Sequence, residues 1–256
     1  MNGPSPEHSA LALVTPKRAA EIADFNLPAG GHRFAIDTSR GRLAAYQAGQ
    51  GPVVLLAHGF GGSSSDFNAF VPALIAHGFA IVALDFAGQG CSEGAVATIP
   101  DGAEALQALQ ARTGRFRGVI GHSLGCAITV ESMTKGLDVE RVVLIAPTRR
   151  YGDYVQHIAQ QHGWTGDYIA AVLHELLKLG VDTARLDVPH QVTGFTQPAL
   201  ILHSDNDRVL PLQFGQAVAQ AWPGSIFLPQ PGLGHRRILS DPSVIERALA
   251  FIEDLP

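Results

Sequence analysis

The sequence predicts an α/β fold in which a mostly parallel, doubly wound sheet of about eight strands is flanked by helices. Short apolar runs rich in Val, Ile and Leu recur along the chain, and helical patterns lie between them. The length of 256 residues, with 46% hydrophobic and 16% charged residues, suits one full-sized core better than two small ones. We therefore expect an N-terminal tail at residues 1–30 and a single domain at residues 31–256.

The predicted strands fall into two groups with different patterns. "HRFAIDTS" and "RLAAYQAG" alternate apolar and polar residues on either side of Arg40-Gly41, which predicts a β-hairpin at the edge of the sheet. Continuous apolar runs follow, as expected for strands that are buried on both faces of a parallel sheet. The six strands of this second group are predicted at residues 52–59, 80–88, 116–123, 141–147, 198–205 and 224–232.

Helical patterns separate most of these strands. The predicted helices cover about Asp66–His77, Ile99–Arg112, Leu124–Lys135, Leu212–Trp222 and Pro242–Asp254. The tail is bounded by Pro and Gly, and one short helix is predicted there around Arg18–Ala23. This alternation is what parallel strands require, because each needs a crossover connection to the next.

One long interval, at about residues 148–196, breaks the alternation. Its segments "DYVQHIAQQHG" and "GDYIAAVLHELLKLG" have the apolar spacing of amphipathic helices, which predicts a helical cap inserted after the sixth strand. Tyr168, Val172 and Leu176 share one apolar face of the second helix. That face either packs against the main body or lines a substrate pocket, because ligands of such sheets bind at the carboxyl ends of the strands.

Composition excludes several classes of protein. The formal net charge is −5 and no block of Lys or Arg forms a basic stripe, so a nucleic-acid partner is not expected. No apolar stretch reaches the roughly 20 residues of a membrane span, and the first residues lack a signal peptide's pattern. Cys91 and Cys126 are too few for a disulfide framework. We expect a cytoplasmic protein that binds a small molecule.

The chemistry concentrates where predicted strands end. In "GHSLG" (121–125), Ser123 lies where a strand turns sharply into a helix, a context that projects the hydroxyl above the sheet. The same turn directs the N–H of Leu124, at the start of the helix, towards a developing oxyanion. Ser123 is thus a candidate nucleophile, and its alternative role is that of a small residue between a strand and a helix.

A serine hydroxyl needs a base and an orienting carboxylate to become a nucleophile. Among eleven histidines, His235 in "GLGHRRIL" is favoured because it lies on a Gly-rich loop directly after the last predicted strand. "HSDNDRVLP" offers Asp205 and Asp207 after the preceding strand. Asp207, four residues before Pro211, is favoured as the acid, and Asp205 is expected to stabilise a turn.

A second oxyanion donor is predicted in "AHGFGGSSSDF" (57–67), whose glycines leave backbone N–H groups unobstructed. The N–H of Phe60 is the preferred donor, and Gly61 is the alternate donor and a candidate for lining the pocket. The serines at 63–65 are expected to lead into the next helix and to cap it. His122, beside the serine, is a further pocket candidate.

Together these stretches resemble the α/β-hydrolase superfamily, over the chain from about His32 to Leu255. The resemblance rests on "HGFGG", "DFAGQGCS", "GHSLG", "DRVLP" and "GLGH", which occur in the family's order after successive strands. It implies an esterase-like or thioesterase-like serine hydrolase with a short helical cap and the triad Ser123, Asp207 and His235, and it implies no metal or organic cofactor. "DFAGQGCS" matches a structural loop of the family, so Cys91 and Ser92 are not expected to be catalytic.

The function that the resemblance implies is hydrolysis of a carboxylic ester or thioester through an acyl-enzyme, and the apolar cap suggests a hydrophobic acyl or alcohol group. A C–C bond hydrolase or a cofactor-free perhydrolase would use the same triad. A serine at this turn argues against the dehalogenase and epoxide-hydrolase branches, whose nucleophile is a carboxylate. A non-catalytic receptor for a small ligand, built on a hydrolase scaffold, is the alternative from another class.

Overall fold

The computed structural model describes residues 3–18, 21 and 23–254. Its strands are β1 His32–Thr38, β2 Gly41–Ala48, β3 Val53–Ala57, β4 Ala80–Leu84, β5 Phe116–His122, β6 Val139–Ile145, β7 Ala199–Ser204 and β8 Ile226–Gln230. They form one sheet in the order β1-β2-β4-β3-β5-β6-β7-β8. The β1–β2 and β2–β4 pairs are antiparallel and the other pairs are parallel. The predicted fold class, with its edge hairpin, is confirmed.

Helices cover both faces of this sheet. They are α1 Pro6–Val14, α2 Phe70–Ala76, α3 Ile99–Thr113, α4 Leu124–Thr134, α5 Tyr151–His162, α6 Gly166–Lys178, α7 Val188–Gln191, α8 Leu212–Ala221, α9 Gly234–Arg237 and α10 Pro242–Glu253. Local chemistry sets several starts: α3 and α10 follow side-chain caps, Thr98 and Asp241 respectively, and each has a proline among its first two residues.

The helix predicted at Asp66–His77 starts later than expected. A 3₁₀ turn at Ser64–Phe67 precedes α2, and no serine hydroxyl caps it. Instead, the amide and the hydroxyl of Ser64 both donate to Asp85 Oδ1, each at 2.7 Å. A serine that was expected to cap the helix therefore binds a buried carboxylate instead, that of Asp85 in the loop after β4.

The core forms two apolar layers, one on each face of the sheet. Leu55 of β3 belongs to one layer and its neighbour Leu56 to the other, and both are fully buried. This follows from the alternation of side chains along a strand. Burial of each such leucine contributes about 1.5–3 kcal/mol to the stability of the fold. Because β3 faces an apolar layer on each side, its sequence "VVLLA" is continuously apolar.

The N-terminal segment contains a helix that the sequence analysis did not predict. The buried residues Ala10 and Val14 of α1 belong to the same apolar layer as residues of the cap helix α6. The Ser9 hydroxyl lies 2.8 Å from the hydroxyl of Tyr168 in α6, and Val14 O accepts from the N–H of Ala97. The cap is thus linked to the start of the chain. The helix predicted around Arg18–Ala23 falls partly on residues outside those described.

None of the helices within the described ranges is long and apolar enough to cross a membrane.

Candidate active site

Ser123 lies on a strained turn between β5 and α4. Its backbone has φ 52° and ψ −118°, a region that costs a non-glycine residue on the order of 1–3 kcal/mol. The turn is held because the Ser123 N–H donates to Ile145 O at 3.0 Å, so the end of β6 fixes the end of β5. The turn therefore holds the half-buried side chain of Ser123 above the carboxyl edge of the sheet.

The glycines around Ser123 allow a close approach of backbones. A Cβ on Gly125 would lie 2.1 Å from Ala57 O, and one on Gly121 would lie 3.1 Å from Gly125 O. The first distance is shorter than any real contact, so α4 can start against the end of β3 only with glycine at this position. Glycine at position 125 therefore has a steric cause, and position 121 is tightly packed as well.

His235, Ser123 and Asp207 form a continuous hydrogen-bonded chain. His235 Nδ1 lies 2.7 Å from Asp207 Oδ2, and His235 Nε2 lies 3.1 Å from Ser123 Oγ. Since a carboxylate only accepts, Nδ1 carries the proton and Nε2 is left to accept from the serine hydroxyl. The three residues that the sequence analysis selected, from three separate loops, thus meet at one edge of the sheet.

Asp207 is surrounded by donors although its side chain is fully buried. Oδ1 accepts from the N–H groups of Val209 and Leu210, at 2.8 and 2.9 Å. Burial acts to raise the pKa of this carboxyl, but hydrogen bonds from His203, His235 and the Leu210 N–H outweigh it and hold the pKa well below its usual range. Asp207 is therefore ionised at neutral pH.

Asp205, the other candidate for the acid, has a different hydrogen-bond partner. Its Oδ1 accepts from the N–H of Gly232 at 2.8 Å, so it supports the loop that carries His235 and does not contact the imidazole. The hydroxyl of Ser204 accepts from the N–H groups of Leu233 and Gly234, at 3.0 and 2.9 Å. Sequence reasoning missed this role of Ser204, although a polar residue at the end of an apolar strand was visible in "ALILHS".

The two amides expected to bind an oxyanion are those of Phe60 and Leu124. Both residues are half-buried, and no residue in the described part of the chain accepts a hydrogen bond from either amide. Gly61, the alternate donor, is already engaged, because its N–H donates to Gln89 Oε1 at 2.5 Å. Gln89 is buried and sequence reasoning missed it; the only indication was a polar residue between two glycines in "DFAGQGCS".

Two further histidines lie buried beside the site. His122 Nε2 donates to His235 O at 2.9 Å, and the rings of His122 and His235 are 4.8 Å apart. The pKa of His122 is lowered to about 3, mainly by burial and secondly by the nearby His235. His58 Nδ1 donates to Gly59 O at 2.7 Å, and burial lowers its pKa as well. Both imidazoles are neutral supports of the loops at neutral pH.

The remaining pocket candidates have packing partners within the chain. The hydroxyl of Tyr168 donates to Pro4 O at 2.6 Å, besides its contact with Ser9. Val172 and Leu176 are fully buried in the apolar layer shared by cap and body. These contacts agree with the packing alternative for the cap face, and a role of these residues in lining a pocket stays a prediction.

Ser123 lines neither of two cavities in the described part of the chain. A small one lies between the hairpin and α3, and an open groove of about 370 Å³ runs beside Arg33, Arg42 and Cys91. Within residues 3–18, 21 and 23–254, no three His, Cys, Asp or Glu side chains cluster as metal ligands would.

Comparison with known proteins assigns the chain to a family. The sequence profile of the alpha/beta hydrolase family matches residues 54–248, more than half of the chain. The chain belongs to the alpha/beta hydrolase family. No curated protein matches the chain by sequence.

Solved structures with the same fold include two esterases and a bromoperoxidase. An esterase from Exiguobacterium antarcticum has a TM-score of 0.70 and 17% identity, over 87% of this chain and 100% of its own. A thermophilic esterase from Thermogutta terrifontis has a TM-score of 0.69 and 19% identity, over 87% and 98%. A bromoperoxidase from Bacillus anthracis has a TM-score of 0.68 and 18% identity, over 87% and 100%. At these identities the likeness is one of fold.

Proposed function

We propose that the protein is a serine hydrolase that cleaves a carboxylic ester or thioester through an acyl-enzyme. The observation that carries the proposal is the hydrogen-bonded chain from Ser123 Oγ through His235 to Asp207, with distances of 3.1 and 2.7 Å. A nucleophile and a base within hydrogen-bond reach, with a third group orienting the base, is the arrangement that nucleophilic catalysis requires.

Acylation begins when Ser123 Oγ attacks the carbonyl carbon and His235 Nε2 takes the hydroxyl proton. The carbonyl π-electrons move to the oxygen and form a tetrahedral oxyanion. Collapse of this intermediate breaks the bond to the alcohol or thiol, which leaves with the proton from His235. Asp207 stays ionised throughout and stabilises the imidazolium, as its low pKa allows.

Deacylation repeats these steps with water as the nucleophile. His235 takes a proton from water while the water oxygen attacks the acyl carbon. The bond to Ser123 Oγ then breaks, the proton returns to the serine, and the carboxylic acid is released. In both steps the N–H groups of Phe60 and Leu124 donate to the oxyanion, since neither has an acceptor in the described chain.

A hydrophobic acyl or alcohol group is the substrate class that suits the surroundings of Ser123. Leu124 follows Ser123 in the chain, Phe60 lies on the proposed oxyanion loop, and both residues are half-buried. Val209, two residues after Asp207, is 61% exposed. The names of two similar structures, both esterases, favour an ester as the substrate. Apolar surface with a few fixed polar groups is typical of small-molecule sites.

The test is hydrolysis of p-nitrophenyl esters and matched thioesters of increasing acyl length, by the wild type and Ser123→Ala. We expect turnover by the wild type and a loss in the variant of up to about a millionfold in kcat. A fluorophosphonate probe should label the wild type and leave the variant unlabelled. Equal turnover by both proteins would contradict the proposal, and a folded wild type that neither turns over esters nor accepts the probe would favour a receptor.

A perhydrolase is a second candidate, favoured by similar structures that are named bromoperoxidases. Hydrogen peroxide would replace water in deacylation: its oxygen bonds to the acyl carbon, the bond to Ser123 Oγ breaks, and a peracid leaves. Addition of peroxide to the ester assay, with peracid detected directly, distinguishes this candidate from simple hydrolysis. A carboxylic acid as the sole product would exclude it.

A further inference from the structure

His203, on β7, is a buried histidine that the proposed mechanism does not use. Its side chain is fully buried, and a buried imidazole usually has a polar partner. Its Nε2 lies 2.9 Å from Leu210 O and 3.5 Å from Asp207 Oδ2. Both neighbours only accept, so Nε2 carries the proton and is shared between them.

The other ring nitrogen of His203 has no function as an acceptor in the described chain. Nδ1 is buried without a hydrogen-bond partner, and α8 packs against it so closely that a Cβ on Gly215 would lie 2.7 Å away. A protein tolerates such an unpaired buried atom only where another gain offsets its cost of about 1–3 kcal/mol. Among the described residues, the polar contacts of the His203 ring are those of Nε2.

The contacts of His203 Nε2 link Asp207 and Leu210, the two ends of the segment that carries the proposed acid. Leu210 accepts from His203 through its carbonyl and donates through its N–H to Asp207 Oδ1 at 2.9 Å. Asp207 Oδ2, the oxygen that binds His235 at 2.7 Å, is the second neighbour of the His203 proton. One imidazole thus touches the carboxylate directly and also fixes the backbone group that holds its other oxygen.

We propose that His203 is a positioning residue for Asp207: it donates from Nε2 to Leu210 O and Asp207 Oδ2 and so fixes the carboxylate that orients His235. This role rests on the proposed function of the triad. The hydrogen bond from His203 is also the first of the contacts that lower the pKa of Asp207.

Loss of this donor changes how the negative charge of Asp207 is shared between its neighbours. Without the His203 proton, Asp207 keeps more of its negative charge for His235 and stabilises the imidazolium further. The acidic limb of the kcat/KM profile, where His235 gains its proton, then moves to higher pH. The titratable and charged groups around this pair are His203 on β7, His122 on β5 and Arg236 beside His235. Of these groups, only His203 changes in the two His203 variants below.

The experiment compares His203→Leu, which removes the donor, with His203→Gln, whose side-chain amide N–H can replace it. We expect His203→Leu to lower kcat on the order of tenfold with little change in KM, and to move the acidic limb upward. His203→Gln should restore both. Leu200→Ala, a core change on the same strand, controls for lost stability and should lower the melting temperature while the limb stays in place.

Two NMR measurements make the test independent of turnover. The titration of His235, followed by its ring ¹⁵N and ¹H shifts, should move in His203→Leu and not in His203→Gln. In the wild type, His203 should be the Nε2–H tautomer. An unmoved His235 titration, or an Nδ1–H tautomer of His203, overturns the positioning role even in an active esterase. A moved titration in a protein without esterase activity would refute only the proposed function.

Discussion

The two halves of the proposed catalytic site are held in different ways. Ser123 is fixed by the main chain: its strained turn is bonded to Ile145 O, and Gly125 lets α4 touch the end of β3. His235 and Asp207 are fixed by side chains, because Ser204, Asp205 and His203 bind the loops that carry them. Sterics determine the first half and polar groups the second.

This difference predicts which substitutions each half of the proposed site tolerates. A turn held by backbone contacts fails when a Cβ is added, even though no polar group is lost. Loops held by hydrogen bonds fail when an acceptor or donor is removed, even though their packing hardly changes. Changes to charge should therefore act on the His235 side, and changes to volume on the Ser123 side.

The largest expected effect tests the charge of the acid. Asp207→Asn keeps the shape but removes the negative charge that orients His235 and stabilises its imidazolium. We expect kcat for an ester to fall on the order of ten-thousandfold, as in other triads, while the melting temperature shows a folded protein. Steady-state kinetics at neutral pH measure the effect.

Asp205→Asn is the matched control for this change. Its oxygen can still accept from the Gly232 N–H, and it makes no contact with His235. We expect less than about a tenfold loss of kcat. Comparable losses in the two variants would contradict the assignment of Asp207 as the acid.

The next effect tests the steric half. Gly125→Ala would bring a Cβ to 2.1 Å from Ala57 O and 2.6 Å from His58 O, so α4 must move away from β3. We expect the free energy of unfolding to fall by at least about 3 kcal/mol, with loss of ester hydrolysis. Denaturant unfolding measures the change.

Gly152→Ala is its control, because a Cβ there meets nothing within 4 Å in α5. This variant should be more stable than the wild type by about 0.5–1 kcal/mol and equally active. A tolerated alanine at Gly125 would disprove the steric account of the serine turn.

The smallest effect tests the polar support of the base. Ser204→Ala removes the acceptor of the Leu233 N–H and one of the two acceptors of the Gly234 N–H, the other being Asn206 Oδ1, just before His235. We expect a loss of about 1–3 kcal/mol in unfolding free energy, together with a lower kcat. Ser225→Ala, which removes one hydrogen bond to Ala219 O at the opposite end of β8, should leave kcat unchanged. Equal kcat in both variants would show that Ser204 does not position His235.

Much of this molecule could be predicted from local pattern. The alternation in the hairpin, the apolar runs of the parallel strands and the order of the five motifs led to the confirmed fold class. Ser123, Asp207 and His235 were selected from their places after strands, and they are hydrogen-bonded in the structure, while their catalytic role remains our proposal.

What failed depended on partners far away in the chain. Helix α1 was treated as tail because its short apolar run gains its partner only from the cap, through contacts such as Ser9 with Tyr168. The serines at 63–65 were expected to cap a helix, and Ser64 binds Asp85. No local rule could weigh these alternatives.

The sequence by itself determined the fold class and the three proposed catalytic positions, because hydrophobic periodicity and glycine-bounded turns act within a few residues of the chain. Only the tertiary structure decided that Gly61 is engaged by Gln89, that Asp205 supports a loop, and that His203 contacts Asp207. The physical reason is that a hydrogen bond depends on distances of about 3 Å, which residues far apart in the sequence reach only once the sheet has brought their loops to one edge.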